Sequence, residues 1–544
     1  MMPNMTKTIR GLLLLLLLAA PAMVHAQFEY SINADGISLT ITNYDGSGGA
    51  VTIPSTINGL TVTCIGEKAF SDSGVSSVSI PSSVTSIGVN AFYGCGELTS
   101  ITIPSSVTNI AEAAIAVCVN LKSISVSTGN AYYSSSHGIL FDKSGETLVE
   151  YPGGLSGKYT IASTVTNIIE AAFEGCINLT SVTVPSSLTS IGEYVFAYCY
   201  NLTNITMPAT ITNIEDHAFD GCNALPSLTI PASVTSIGAE AFYGCYDLAT
   251  VAIPTNVNSI GAGAFAWCIG LKSITAAAQN ASYSSSNGAL FDKGQAMLVQ
   301  YPAGLSGSYS IPESVRSIGP SAFEGCDTLT GVTLPLNVTS IGDDAFAYCY
   351  DLTVATIPAS ITNFGAYVFY GCDGLTNLTI SSGVTNIGDY AFYGCYGLTR
   401  VMIPASIRSL GEGAFEWCIH LTNVFFQGDA PLADSTAFTN DSGSPTVFYL
   451  PQTDGWSASF AGFPALLWNP MIQTGDGSFG LQNNQFGFDI TGTINIPIVV
   501  EACANLANPV WMQLQAATLT NGLFYLSEPL QTNGSGRFYR ISSP

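Results

Sequence analysis

Basic residues are scarce in this chain: 13 lysines and arginines stand against 37 aspartates and glutamates in 544 residues, and only 9% of the chain is charged. An average field of that sign repels phosphate backbones and anionic lipid surfaces, which argues against nucleic acid as a partner. Histidines number four, and one of them, His25, lies in a segment expected to be removed. The other three, His137, His217 and His420, occupy unrelated places, so imidazole chemistry has little to draw on. Neither Cys-x-x-Cys nor paired histidines occur, so no metal and no cofactor is expected. What is present is a 47% hydrophobic chain with 54 glycines, too apolar and too glycine-punctuated for a disordered tail or a coiled coil.

A long apolar run occurs only near the start. Lys7 and Arg10 precede Leu12 to Leu18, and the stretch closes on small residues at Ala26, before Gln27. About eleven apolar residues fall short of the roughly 20 that span a bilayer. Residues 1–26 therefore read as a signal peptide cleaved near Ala26, which makes the mature chain secreted or cell-surface, with no membrane-spanning segment.

From Ile53 to about Phe425 the chain repeats itself. A clear unit reads Ile80-Pro81-x-x-Val84-x-x-Ile87-Gly88-x-x-Ala91-Phe92-x-Gly94-Cys95-x-x-Leu98-x-x-Ile101, and the next begins at Ile103. Later units open at Val126, Ile161, Val184, Met207, Ile230, Ile253, Ala276, Ile311, Leu334, Ile357, Ile380 and Ile403, in steps of 23 residues with two of 35. A fixed period of this length signals a solenoid, whose units bury their apolar faces only by stacking. The longer units, 126–160 and 276–310, are near copies 150 residues apart, and their paired apolar runs read as a hairpin projecting from the stack. Leu98-x-x-Ile101-x-Ile103 has the spacing of a leucine-rich repeat strand. The Gly88 to Cys95 stretch would carry a short helical or 3₁₀ turn on the opposite side. Phe92, Phe173, Phe219, Phe242, Phe323 and Phe392 would form the core spine.

This motif resembles the BspA-type leucine-rich repeat over about two-thirds of the chain. The resemblance implies an exported or surface-exposed protein, several of whose relatives are similar to adhesins. The fold class expected is a leucine-rich repeat solenoid, one parallel strand per 23-residue unit with short helical or 3₁₀ turns, followed by a small antiparallel β module.

Twelve of the fourteen cysteines share one repeat position, from Cys95 to Cys418, and must form a ladder. Side chains on equivalent rungs run parallel about 4.8 Å apart, farther than the Cβ separation a disulfide prefers, so buried thiols acting as small hydrophobes are expected. Cys64 and Cys503 lie off the ladder as candidates for exposure. Acids recur at the start of the turn, among them Glu112, Glu170, Glu193, Asp216, Asp343 and Asp389, where a helix dipole would favour them. The Glu215-Asp216 and Asp343-Asp344 pairs have the oxygen ligands that suit calcium, on a spacing that singles out neither. Tyr198, Tyr200, Tyr348, Tyr350, Tyr393 and Tyr396 add an aromatic ridge.

On the strand, residues flanking an inward isoleucine point outward. Ser100, Thr102, Ser181, Thr183, Asn204, Thr206, Ser227, Thr229, Asn377 and Thr379 thus form a grid of hydroxyls and amides. The grid is either a binding platform or the ordinary polar face of a solvated sheet. The pattern breaks toward the far end, where Val354, Arg400, Met402 and Phe425 replace polar residues, and that end is the expected contact zone unless the chain's own C-terminal segment covers it.

The expected organisation is an N-terminal cap at 27–52, the repeat array at 53–425, a C-terminal cap at 426–470, a linker at 471–485 and a β-rich module at 486–544. The function expected is a non-enzymatic scaffold binding an extracellular protein or glycan. The alternatives are a carbohydrate-active solenoid enzyme, which needs acids converging at non-periodic positions, and a structural surface-layer or spacer component. One outcome follows from the sequence alone: intact-mass measurement of the exported protein should give a chain beginning at or near Gln27.

Overall fold

β-Branched residues alternating with hydroxyl side chains make segments such as Ser100–Ile103 strands with one buried and one solvated face. The computed structural model describes residues 27–439, 445–482, 484–529 and 536–543, and the segment read as a signal peptide lies outside the described residues. Successive strands stack parallel and in register: Ser100–Ile103 pairs with Ser123–Val126 residue for residue, and Leu179–Thr183 with Asn204–Thr206. A narrower ladder of two-residue strands forms a second side of the coil, as where Ser190–Ile191, Asn213–Ile214 and Ser236–Ile237 succeed one another. The described residues divide into two compact units, one ending at residue 305 and the other beginning at residue 306. The second is built alike, with Val354–Ile357 on Asn377–Ile380 and Arg400–Ile403 on Asn423–Phe426. This is the leucine-rich repeat solenoid expected from the sequence.

The helical turn expected opposite the strand does not form, and no helix occurs among the described residues. The cause is a left-handed residue at two places in each turn, Asn90 (φ 55°) and Gly94 (φ 68°) in one coil, Tyr194 (φ 54°) and Tyr198 (φ 57°) in another. Such residues interrupt a helical run and aim alternate N–H groups at the next coil. Phe92 N donates to the Ala114 carbonyl at 2.8 Å and Gly94 N to that of Ala116 at 3.1 Å, while Tyr93 N closes a tight turn on Asn90. With no helix dipole to complement, the aspartates act differently. Asp216, Asp343 and Asp389 each accept a backbone N–H from the following coil, at Ala239, Ala366 and Glu412, over 2.7–2.9 Å.

Inside the coils the predicted columns are present. In the first unit Phe173, Phe196, Phe219, Phe242 and Phe265 stack at 5.0–5.5 Å. In the second, Phe323, Phe346, Phe369, Phe392 and Phe415 stack at 4.7–5.4 Å. The cysteines beside them are buried and do more than fill space. Cys118 Sγ donates to the Phe92 carbonyl at 3.2 Å, Cys199 to Phe173 at 3.2 Å and Cys372 to Phe346 at 3.1 Å. Each thiol thereby satisfies a buried acceptor on the preceding coil, which an alanine of similar size would leave with less. Cys503, expected as a candidate for exposure, is buried within the C-terminal module, and Cys64 is half-buried.

The 35-residue units are part of the stack rather than projections from it. Tyr133–Ser136, Ile139–Asp142 and Thr147–Glu150 form an antiparallel meander whose last strand joins Asn167–Ile168 in the narrow ladder. Leu140 and Leu148 are fully buried, since the apolar runs that resemble a hairpin face the core. Tyr151 takes a place in the spine, stacked on Phe173 at 4.9 Å. Past the insertion the flanking turns close up, and Val117 N reaches the Glu174 carbonyl at 3.2 Å.

At the N-terminal end the strands Phe28–Ile32 and Ser38–Tyr44 pair antiparallel, and Tyr44 lies on Phe70 at 5.0 Å. At the other end the coils outlast the motif. Thr446–Tyr449 pairs in register with Asn423–Phe426, Phe463–Leu467 follows, and Phe438 stacks on Phe415. The Gly-Cys and proline marks are gone there, but 23 residues still separate Asn423 from Thr446, so backbone pairing continues. The C-terminal module comprises two small antiparallel sheets. One pairs Gln485–Thr491 with Leu523–Pro529, and the other sets Pro497–Cys503 between Met512–Thr518 and Phe538–Ser542. Met471–Ile472 and Gly480–Gln482 also pair with Gln485–Thr491, so residues read as a linker supply strands to the module.

Three acids sit inside the turn edge of the first unit. Glu150, Glu174 and Asp220 are all buried, and Tyr93 Oη donates to Glu174 Oε1 at 2.7 Å. Burial pushes Glu174 up to about 7 and Asp220 up to about 6, and holds Glu150 well above the usual carboxylate range. In the duplicate meander a neutral amide, Gln300, stands at the place of Glu150 and is likewise buried.

Two outcomes follow. Phe219→Ala should lower stability by about 3–5 kcal/mol in urea denaturation, as for a large core aromatic whose site cannot collapse, while Thr183→Ala on the solvated face should stay within about 0.5 kcal/mol. Carboxyls raised in the folded state make it hold more protons than the unfolded chain, so stability should be greatest near pH 4.5 and decline as pH rises toward about 7. Glu150→Gln should flatten that decline, exceeding the parent protein in stability at pH 8 and matching it at pH 4.

Candidate binding cleft

A parallel sheet with one face buried must present its other face to solvent, and threonine, serine and asparagine suit that face because they can hydrogen-bond along the strand stack. Ser100, Thr102, Thr183, Asn204, Thr206, Ser227 and Thr229 are exposed in the first unit, and Ser181 is half-buried. Within this grid Asn204 Nδ2 donates to Ser181 Oγ at 3.1 Å, and beside it Thr203 Oγ1 donates to the Thr180 carbonyl at 3.0 Å. Ser227 and Thr229 lie in a stretch that forms no strand. Pro226 occupies the place where Thr203 donates its N–H to the coil before, and proline has no N–H to give.

In the second unit Asn377 and Thr379 keep the outward pattern, whereas Val354, Arg400 and Met402 depart from it. Val354, Asn377, Thr379, Arg400 and Met402 are all exposed. The ladder is interrupted here as well: one sheet ends on Asn377–Ile380 and the next begins with Arg400–Ile403, without hydrogen bonds joining the two. A cleft of about 330 Å³ lies over this interruption, lined by Asn377, Thr379, Arg400 and Met402 together with Thr376 and Gln427. That volume is at the lower end for ligand sites, roughly 300–1,000 Å³. Gln427 Nε2 lies 2.8 Å from Met402 Sδ, which sets the amide beside the thioether.

Phe425, placed with Arg400 and Met402 in the expected contact zone, lines the cleft and serves a second purpose. It is buried, stacked on Phe448 at 4.9 Å, and packed with Phe488, Ile490 and Ile498 of the C-terminal module. Trp468 Nε1 donates to the Pro497 carbonyl at 2.8 Å across the same junction. The two outward phenylalanines are thus the seat of the module, and the module in turn brings Ser543 to the wall of the cleft. Of the thirteen residues expected to contact a ligand, Asn377, Thr379, Arg400 and Met402 come together in this cleft. Val354 lies outside it, and the eight in the first unit stay on the outward face of that unit. Strand alternation past Phe425 could have pointed to Gln427. No sequence signal could have pointed to Ser543, which a separate sheet delivers.

The electrostatics of the cleft invert those of the chain. No carboxylate lines it, and among the described residues Arg400 forms no ion pair. The site therefore offers one guanidinium, hydroxyls, amides and a thioether, the makings of a binding surface rather than of a nucleophile or general base.

A second recess of about 310 Å³ lies on the turn side of the first unit, lined by Tyr93, Glu112, Glu170, Glu174 and Tyr194. Burial, then the neighbouring Glu112, Glu193 and Glu215, push the Glu170 carboxyl up. Glu112, Glu170 and Glu193 occupy one repeat position, so stacking alone gathers them. Among the described residues no group of three or more His, Cys, Asp or Glu is placed to hold a metal ion. His217, read as a solvated turn residue, is partly buried and stacked on Tyr194 at 4.5 Å. In the expected aromatic ridge, Tyr348 and Tyr350 meet edge-on and Tyr370 stacks on Tyr393 at 4.7 Å.

No helix among the described residues is long and apolar enough to cross a membrane. No curated protein matches the sequence. Among solved structures, a leucine-rich cell surface protein from Faecalibacterium prausnitzii is 25% identical, with 78% of this chain and 93% of that chain covered and a TM-score of 0.40. A leucine-rich repeat protein from Bacteroides ovatus is 20% identical, covering 81% and 98%, with a TM-score of 0.32. The pneumococcal vaccine antigen PcpA is 17% identical, covering 78% and 92%, with a TM-score of 0.36. The BspA type leucine-rich repeat region matches residues 50–139, 157–286, 306–422 and 339–452. With that repeat spanning most of its length, and its phenylalanine and cysteine columns stacked coil upon coil, this chain belongs to the BspA-type leucine-rich repeat family.

Proposed function

We propose that this protein is an exported, non-enzymatic binding scaffold that holds an extracellular protein or glycan in the cleft around Arg400 and Met402. The observation that carries this reading is the coincidence of three departures from the repeat at one place. The outward polar pattern fails at Arg400 and Met402, the backbone ladder is interrupted beneath them, and the C-terminal module stands beside the opening. A regular scaffold gains a specific site where its regularity breaks, because only there do neighbouring coils differ in what they present. Export is supported by the charged, apolar and small-residue layout of the first 26 residues. Binding without catalysis is supported by a cleft lined by one arginine, hydroxyls and amides and by no acid, cysteine or histidine.

The test is an array of glycans and matrix proteins probed with the mature chain and with the Arg400→Ala, Met402→Ala double variant. Both side chains are exposed, so the variant should fold as the parent does. At least a tenfold loss of signal on the bound ligand is expected from removing a guanidinium and an apolar anchor together. Equal binding by the two proteins would exclude the cleft.

A further inference from the structure

The cleft's chemistry narrows the ligand beyond protein or glycan. We propose that it takes a carboxylate-bearing sugar, a hexuronic acid unit of an acidic polysaccharide, with the carboxylate on Arg400. This rests on the reading of the cleft as the binding site.

The first ground is charge. The chain carries 37 acids against 13 basic residues, yet no carboxylate lines the cleft and Arg400 has no ion-pair partner among the described residues. A planar guanidinium open to solvent, with nothing to neutralise it, is complementary to a carboxylate, which it can grip through two parallel hydrogen bonds. The prevailing negative field of the protein opposes any ligand bearing acid groups densely. It tolerates best one whose charges are spaced by neutral rings, each of which can place a single carboxylate at a single arginine.

The second ground is the hydrogen-bonding inventory around that guanidinium. Asn377 and Thr379 approach from one side and Gln427 from the other, and Ser543 closes the wall. Leu378 and Val401 also line the cleft, in strands that do not pair with each other. Donors and acceptors thus surround the arginine on several sides, as ring hydroxyls require, whereas an acidic side chain on a peptide would use the guanidinium and leave most of them unanswered. Met402 supplies an apolar surface for the C–H face of a sugar ring. An added peptide strand has no place here, because the two strand edges belong to consecutive coils.

The experiment is calorimetric titration of the mature full-length protein with tetrasaccharides of galacturonate, glucuronate and mannuronate, the methyl ester of each, and a tetra-aspartate peptide. At least one uronate should bind, its ester at least tenfold more weakly, and the affinity should fall as salt rises. Arg400→Gln should weaken binding at least tenfold, Arg400→Lys should retain part of it, and tetra-aspartate should not compete. Failure of all three uronates, equal binding of acid and ester, or displacement by tetra-aspartate would overturn the proposal. Met402→Trp, which fills the cleft, separates this claim from the one beneath it. Binding lost in Met402→Trp but unchanged in Arg400→Gln would overturn the acid-sugar assignment and leave the cleft as the binding site. Binding unchanged in both would overturn the cleft itself.

Discussion

Backbone hydrogen bonding between successive coils is the constraint from which the remaining features follow. Phe92 N to the Ala114 carbonyl, or Ser100–Ile103 against Ser123–Val126, holds each coil at the spacing of paired strands. At that spacing, residues 23 apart must lie above one another. Aromatic rings then stack at about 5 Å, a separation at which they attract, and thiols find the carbonyl of the preceding phenylalanine within reach. The same bonds explain the left-handed residues in every turn, because an N–H committed to a neighbouring coil cannot also close a helix. Turn residues as different as Asn90, Tyr194 and His217 accept that conformation.

A stack of this kind is uniform by construction, and its specific features appear where the uniformity is interrupted. The 35-residue meander supplies no repeat turn of its own, so the coil of Glu112 meets that of Glu170 and Glu174 directly and their carboxyls stack as in successive coils. Burial raises the Glu170 and Glu174 carboxyls, and Tyr93 donates to Glu174. In the second unit, the interruption between Asn377–Ile380 and Arg400–Ile403 opens the cleft. Two phenylalanines turned outward, Phe425 and Phe448, fix the C-terminal module beside it.

The C-terminal module therefore has a structural part in the second unit, whatever else it does. Its buried face would be an apolar patch on both partners if separated, and Trp468 adds a directed hydrogen bond to that contact. Aromatic residues where a solvated sheet should carry threonine mark the place where the sheet stops being solvated.

Periodicity by itself determined the solenoid, the inward phenylalanines, the buried cysteine column and the outward polar face, because stacking in register converts a repeat position into a spatial column with no further information. It also placed Asn377 and Thr379 on that polar face and singled out Arg400 and Met402, since a departure from a strict repeat is visible without coordinates. Only the tertiary structure decided that Phe425 seats the C-terminal module as well as lining the cleft, that Cys503 is buried, that the meander joins the core, and that Gln427 and Ser543 belong to the same cleft as Arg400. Those outcomes depend on which surfaces meet after the coils have stacked, and contacts between elements outside the repeat leave no period in the chain to read.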